Sequence, residues 1–239
     1  MIPVPDEAMV LAAGLGLRLR PLTLDRPKAL VEVGGVPLID RTLDRLQAAG
    51  VRRAVVNLHY KGNSLRQHLA LRRRPEILLS DETAMLLETG GGVKKALSLL
   101  RAAPFYVVNC DIIWRDAHGD SLDDLARRWD DGAMDALLLV HPTVGAIGYA
   151  GVGDFFMDPM GRLARRPECM VAPFVFTGVQ LLHPRLFEGA PEGPFSLNRL
   201  YDVAAENGRL FGLRHDGAWM DVGTPAGLRE AERALAEGG

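Results

Sequence analysis

Short apolar runs alternate with amphipathic stretches through most of the chain. Ala8-Met9-Val10-Leu11, Ala54-Val55-Val56, Ile77-Leu78-Leu79, Tyr106-Val107-Val108 and Ala136-Leu137-Leu138-Leu139-Val140 carry no charge, the pattern of strands buried on both faces. Between them apolar positions recur at helical spacing. Pro37 to Ala49 puts Leu38, Ile39, Leu43 and Leu46 on one face, with Pro37 suited to a first turn and Gly50 to a stop. Ser121-Leu122-Asp123-Asp124 reads as a capping box that opens a helix to about Asp131. Strand–helix alternation of this kind predicts an α/β fold, a mostly parallel sheet with helices on both faces.

The pattern changes from Gly148. Residues 151–157, the turn Asp158-Pro159-Met160-Gly161 and residues 162–165 read as a hairpin, and Phe174 to Leu182 as a further strand. Helices follow near Leu197–Asn207 and Pro225–Ala236, the second with Thr224 as N-cap. No linker, low-complexity tract or internal repeat interrupts the sequence. The expectation is one domain, residues 1–239, whose second lobe is more antiparallel.

Composition removes several function classes. The 239 residues are 48% hydrophobic and 24% charged, which excludes intrinsic disorder. With 28 basic against 30 acidic residues the net charge is −2, so the basic excess of a nucleic-acid binder is missing. Arg72-Arg73-Arg74 reads as a solvated helix end. Cys110 and Cys169 cannot form a disulfide framework, and Cys110 reads as a small buried hydrophobe. The acidic N-terminus, Met1 to Glu7, lacks the basic flank of a secretory signal, and the longest uncharged stretch, Ala136 to Gly153, is broken by Pro142 and glycines. These readings point to a cytoplasmic protein that uses neither membrane nor nucleic acid.

The chemistry concentrates in Leu11-Ala12-Ala13-Gly14-Leu15-Gly16-Leu17-Arg18-Leu19-Arg20-Pro21-Leu22-Thr23, with Pro27-Lys28 close behind. A strand running into glycines lets backbone N–H groups approach a phosphate. Leu19 stands where a dinucleotide fingerprint needs its third glycine, and no Gly-Lys-Ser/Thr follows as a P-loop requires. A glycine turn with Arg18 and Lys28 remains. It suits a polyphosphate, and it is equally compatible with an ordinary strand–helix turn bearing solvated cations.

This segment resembles the signature of the sugar-1-phosphate nucleotidyltransferases, which make an NDP-sugar and pyrophosphate from an NTP and a sugar 1-phosphate. The similarity extends along the chain, because Glu88-Thr89-Gly90-Gly91-Gly92, Asn109-Cys110-Asp111 and Trp219-Met220-Asp221-Val222-Gly223-Thr224-Pro225 follow in the order of that family. The resemblance implies a three-layer α/β/α, Rossmann-like fold on a mostly parallel mixed sheet. It divides the chain into a nucleotide-binding lobe over about 1–147 and a sugar-binding lobe over 148–239. Residue by residue, it implies that Leu11, Ala12, Ala13 and Gly14 face base and ribose. Gly16 and Arg18 face the outer phosphates, Lys28 the α-phosphate, and Thr89 and Gly90 the nucleobase. Glu168, Thr177, Gly178 and Trp219 are implied around the sugar. Asp111 and Asp221 are implied as Mg²⁺ ligands, though either could serve only as a turn or cap residue. Around Glu168 the sequence Arg165-Arg166-Pro167 departs from the family pattern.

The chemistry of the reaction agrees. The attacking phosphate is already ionised near neutral pH, its second pKa being about 6, so no serine nucleophile or general base is needed. The chain has no Gly-x-Ser-x-Gly elbow, and its six histidines form no paired motif. Charge neutralisation and in-line positioning are what remain to be supplied. Asp111 follows an apolar run and so is expected at the C-terminal end of a buried strand, where ligands of open α/β sheets bind.

Within the family, Glu88-Thr89-Gly90-Gly91-Gly92 and Phe195-Ser196-Leu197-Asn198 most resemble the N-acetylmuramate-1-phosphate uridylyltransferases of peptidoglycan recycling. That resemblance implies UTP as the NTP and a substrate whose lactyl carboxylate wants a cation such as Arg165, Arg166 or Arg199. A left-handed β-helix extension is not expected after the Asp221 block. Mannose-1-phosphate guanylyltransferase is the nearest competing reading, and a catalytically silent nucleotide-sugar sensor the alternative of another class. The sequence is compatible with a monomer or a homodimer.

Overall fold

The computed structural model describes residues 2 and 4–237; Met1 and Pro3 of the acidic N-terminus, and Gly238 and Gly239, lie outside the described residues. The strands are β1 (Glu7–Leu11), β2 (Glu32–Val33), β3 (Val36–Pro37), β4 (Arg53–Leu58), β5 (Glu76–Asp81), β6 (Phe105–Asn109), β7 (Ile112–Arg115), β8 (Ala136–Pro142), β9 (Phe155–Met157), β10 (Leu163–Arg165), β11 (Phe174–Leu182), β12 (Leu210–Arg214) and β13 (Ala218–Asp221). The helices are α1 (Leu38–Ala48), α2 (Gly62–Leu69), α3 (Glu88–Ala96), α4 (Ser121–Arg128), α5 (Asn198–Glu206) and α6 (Pro225–Glu237).

Nine strands form one mixed sheet in the order β10-β9-β11-β6-β1-β4-β5, with β8 attached to β11 and β12 to β8. β6, β1, β4 and β5 run parallel, while β11 is antiparallel to β6 and β8. The apolar runs are continuous because both faces are covered. Ala8, Val10, Ala54, Val56, Tyr106 and Val108 pack with residues of α1, α2 and α4. Met9, Val55, Phe105 and Val107 point the other way and pack with α3 and α5. The result is a three-layer α/β/α sandwich. The hairpin expected near residues 151–165 forms as β9 and β10, its turn closed by the Asp158 carboxylate accepting from the Met160 and Arg162 N–H groups, both at 2.8 Å.

Some boundaries differ from the sequence reading. The cap of α4 is Asp120, whose Oδ1 accepts from the Leu122 N–H at 2.8 Å. Ser121 Oγ instead accepts from the buried Trp114 indole at 3.1 Å. This helix ends at Arg128, and Trp129 turns into the core at 3% exposure. Thr224 caps α6 as expected, its hydroxyl accepting from the Gly227 N–H at 3.1 Å.

Two features assemble the site. β7 and β13 pair antiparallel with Asp221 opposite Ile112, so the Asp221 block lies beside the residue that follows Asp111. A third apolar cluster joins Leu19 of the glycine loop to Leu38, Ile113, Met220, Val222, Leu228 and Ala231. Segments some 200 residues apart in sequence are thereby fastened together.

Candidate active site

β1 delivers the glycine loop to the C-terminal ends of the parallel strands. There a cavity of about 510 Å³ is lined by the loop from Leu11 to Arg18, by Lys28, by Asn109 to Asp111, and by Thr89, Ser196 and Gly223. Gly16 turns the loop with φ +64°, a conformation that disfavours side chains, and a methyl there would meet Thr23 Cγ2 at 2.9 Å. The Thr23 hydroxyl donates to the Gly16 carbonyl at 2.7 Å and holds the turn closed. A single 3₁₀ turn, Leu17–Leu19, then buries Leu19 and leaves Arg18 exposed at the cavity wall.

The loop hangs on two residues the sequence reading missed. Asn57, at 2% exposure near the end of β4, accepts with Oδ1 from the Ala12 N–H at 2.6 Å and the Ala13 N–H at 3.1 Å. Its amide donates to Glu82 Oε1 at 2.8 Å, and Glu82 Oε2 accepts from the Leu87 N–H at 3.1 Å, just ahead of α3. Glu82 is 1% exposed, and these donors offset the cost of burying a carboxylate. A signal was present: Asn57 is a polar residue inside Ala54-Val55-Val56-Asn57-Leu58, at a strand end where ligands bind.

The charged groups converge across the cavity. Lys28, nearly buried, forms an ion pair with Asp111 Oδ2. Arg18 reaches over to the Asp221 block: a methyl on Gly223 would meet Arg18 Nη2 at 2.8 Å and Asp221 Oδ1 at 2.7 Å, so a side chain there would have to displace one of them. Asp221 Oδ1 accepts from the Gly223 N–H at 2.8 Å. Burial raises the Asp221 carboxyl above the ordinary carboxylate range. The Gly223 hydrogen bond opposes this, the charge of Asp111 adds to it, and Arg18 and Lys28 pull it back down. The charge of Asp111 bearing on the half-buried Asp221 carboxyl makes the pair a natural seat for a hard divalent cation. Among the described residues no group of three or more His, Cys, Asp or Glu could hold a metal. An ion here would therefore take two carboxylates and complete its shell from water or substrate phosphate, the habit of Mg²⁺. Cys110 is inert: burial pushes its thiol up to about 12.

The other expected residues separate. Thr89 lines the cavity, and its hydroxyl accepts from the Leu197 N–H at 2.9 Å. Gly90 does not line it. Its N–H donates to the Phe195 carbonyl at 2.8 Å, and the Phe195 ring occupies the space a side chain would need. The glycine run thus serves close packing of α3 against residues 193–195. Thr177 is fully buried and donates to the Leu139 carbonyl at 2.7 Å. Trp219, at 3% exposure, donates to the Thr177 carbonyl at 2.8 Å. Both side chains are buried in the core, and neither lines this cavity. Gly178 backs onto the Asn109 side chain, and Glu168 is exposed on the loop after β10, away from the cavity lining.

Known proteins resemble this chain along almost its whole length. The chain is 45% identical over 241 aligned residues to the N-acetylmuramate alpha-1-phosphate uridylyltransferase of Caulobacter vibrioides, covering 99% of this chain and 100% of that one. It is 34% identical to the enzyme of the same name from Neisseria meningitidis serogroup B, covering 95% and 96%. Its fold matches the inositol-1-phosphate CTP transferase of T. maritima with a TM-score of 0.78 at 18% identity, over 99% of this chain and 98% of that one. The family described as nucleotidyl transferase matches residues 7–238, and this chain belongs to it.

Proposed function

We propose that the protein transfers a uridylyl group from UTP to N-acetylmuramate 1-phosphate, releasing pyrophosphate, in the cytoplasm. The observation that carries this reading is the convergence of Arg18, Lys28, Asp111 and the Asp221–Gly223 turn on one cavity that the glycine loop also lines. The 45% identity to a uridylyltransferase over the whole chain supports the choice of base and sugar.

In this reading a phosphate oxygen of the sugar 1-phosphate attacks the α-phosphorus, a P–O bond forms, and the bond to the β-phosphate breaks. The nucleophile is already anionic, so no residue need take a proton. The backbone from Leu11 to Gly14 holds base and ribose, braced by Asn57, while Thr89 borders the base. Arg18 and Gly16 hold the leaving pyrophosphate, and Lys28 faces the α-phosphate, where charge builds in the transition state. Asp111 and Asp221 would hold Mg²⁺, which when bound neutralises phosphate charge and orients the leaving group. The second lobe, from about residue 148, receives the sugar, with Glu168 and the backbone at Gly178 at its border. As a monomer the chain carries every group named.

Pyrophosphate release over a matrix of four NTPs and several sugar 1-phosphates tests the assignment. UTP with N-acetylmuramate 1-phosphate is expected to give the highest kcat/KM, and Asp111→Ala to remove the Mg²⁺-dependent turnover. Turnover confined to GTP and mannose 1-phosphate would overturn it.

A further inference from the structure

N-acetylmuramate 1-phosphate differs from N-acetylglucosamine 1-phosphate by a lactyl ether that carries a second anion, a carboxylate. The glycine loop can serve the phosphates, but it offers nothing to that group. Resting on the function proposed above, we infer that Arg199 is the specificity-determining residue that receives the carboxylate.

Elimination among cations supports this. Between residues 148 and 214 the chain has seven arginines and no lysine, and six of the seven are engaged. Arg165 is paired with Asp202 at 2.5 Å and also donates to the Asn198 carbonyl. Arg166 donates to the carbonyls of Gly153, Pro167, Glu168 and Met170, so its guanidinium is consumed in shaping the 166–170 loop. Arg185 and Arg209 are held by Asp135, Arg214 by Asp216, and Arg162 stacks over Phe211. Arg199 alone is exposed with no side-chain partner among the described residues. The acid one helical turn on that could neutralise it, Asp202, is already taken by Arg165.

Position supports it independently. The Arg199 N–H donates to the Ser196 carbonyl at 3.1 Å, and Ser196 lines the cavity. The Leu197 N–H between them donates to Thr89, itself in the cavity wall. On its other flank, the bonds from Arg165 hold the first turns of α5 to β10, which leads into the Glu168 loop. Arg199 therefore stands on a braced helix between the nucleotide cavity and the second lobe, where the substituted end of a sugar 1-phosphate would emerge. Its forked guanidinium matches a carboxylate in two parallel hydrogen bonds. A cation in the first turn of a helix opposes the helix dipole, so helix stability does not account for it.

The test compares Arg199→Gln and Arg199→Lys with the parent enzyme, with UTP and either N-acetylmuramate 1-phosphate or N-acetylglucosamine 1-phosphate. A charge-assisted hydrogen bond contributes about 1.5–3 kcal/mol. The kcat/KM ratio between the two sugars should therefore fall about 10- to 100-fold in Arg199→Gln, mainly through KM for the acidic sugar. Arg199→Lys should restore part of the ratio, and KM for UTP reports that the variants are folded. An equal loss on both sugars, or an unchanged ratio, overturns the assignment of Arg199 while leaving the proposed reaction standing. If the parent enzyme does not turn over N-acetylmuramate 1-phosphate, the proposed reaction falls and this inference with it.

Discussion

Lys28 is the residue on which electrostatics of the site turn. It is nearly buried and paired with Asp111, so its charge is poorly screened and already oriented toward the carboxylate end of the cavity. A substrate phosphate brought beside Asp111 would compete for the same ammonium. Its charge then acts most strongly on negative charge that develops as the P–O bonds exchange. Lys28→Ala should accordingly lower kcat by about 10²- to 10³-fold, with a smaller change in KM for the NTP. Steady-state kinetics across NTP concentrations check this, and an effect on KM alone would show that the charge serves ground-state binding. The sequence made Lys28 and Asp111 legible singly, each through its motif. Their pairing across 83 positions was not legible, because no local pattern encodes which strand end faces which loop.

At the scale of elements, the glycine loop is a turn suspended between β1, β4 and α3. Its rigidity comes from Asn57 and Glu82, which join the Ala12 and Ala13 N–H groups to the Leu87 N–H ahead of α3. The glycine loop and the segment ahead of α3 are thus held in one buried chain of hydrogen bonds. Asn57→Ala would strip Glu82 of one donor and the loop of its acceptor, at a cost of about 1–3 kcal/mol. In a domain of this size each kcal/mol lowers Tm by roughly 2–4 °C. KM for the NTP should rise alongside, and a variant with lowered Tm and unaltered KM would show that the brace is structural only. The central apolar strands and helices α1, α4, α5 and α6 were readable from periodicity and caps, and the β9–β10 hairpin from its turn residues. Helices α2 and α3 and strands β7, β12 and β13, whose local patterns are weaker, were not. The brace was not, because one asparagine in an apolar strand says nothing about its partners 25 and 45 residues away.

At the scale of the whole molecule, buried titratable groups link stability to pH. Burial holds both His215 and His183 below the ordinary imidazole pKa of 6.5; neighbouring cations add to this, while Asp116 and Asp131 oppose it. Above 6.5 neither the folded nor the unfolded chain carries these protons. As pH falls below it the unfolded chain binds them first, so stability is present above that value and declines beneath it. Tm should therefore drop between pH 7.5 and pH 5.5, and drop less in His215→Gln; an equal drop would exclude His215 as a source. The near-neutral net charge acquires meaning at this scale too. In the proposed function the positive charge for two polyanionic substrates is concentrated at Arg18 and Lys28, and the negative charge for a cation at Asp111 and Asp221. By itself the sequence determined the alternation of strands and helices, the glycine loop and the identity of these charges. Apolar periodicity and local motifs act within a few residues. Only the tertiary structure decided that Asp221 lies beside the Asp111 strand, that Gly90, Thr177 and Trp219 are packed into the interior, and that Arg199 has no side-chain partner among the described residues. Those outcomes depend on sheet order and on which side chains compete for the same partner, and neither is written in any local stretch of the chain.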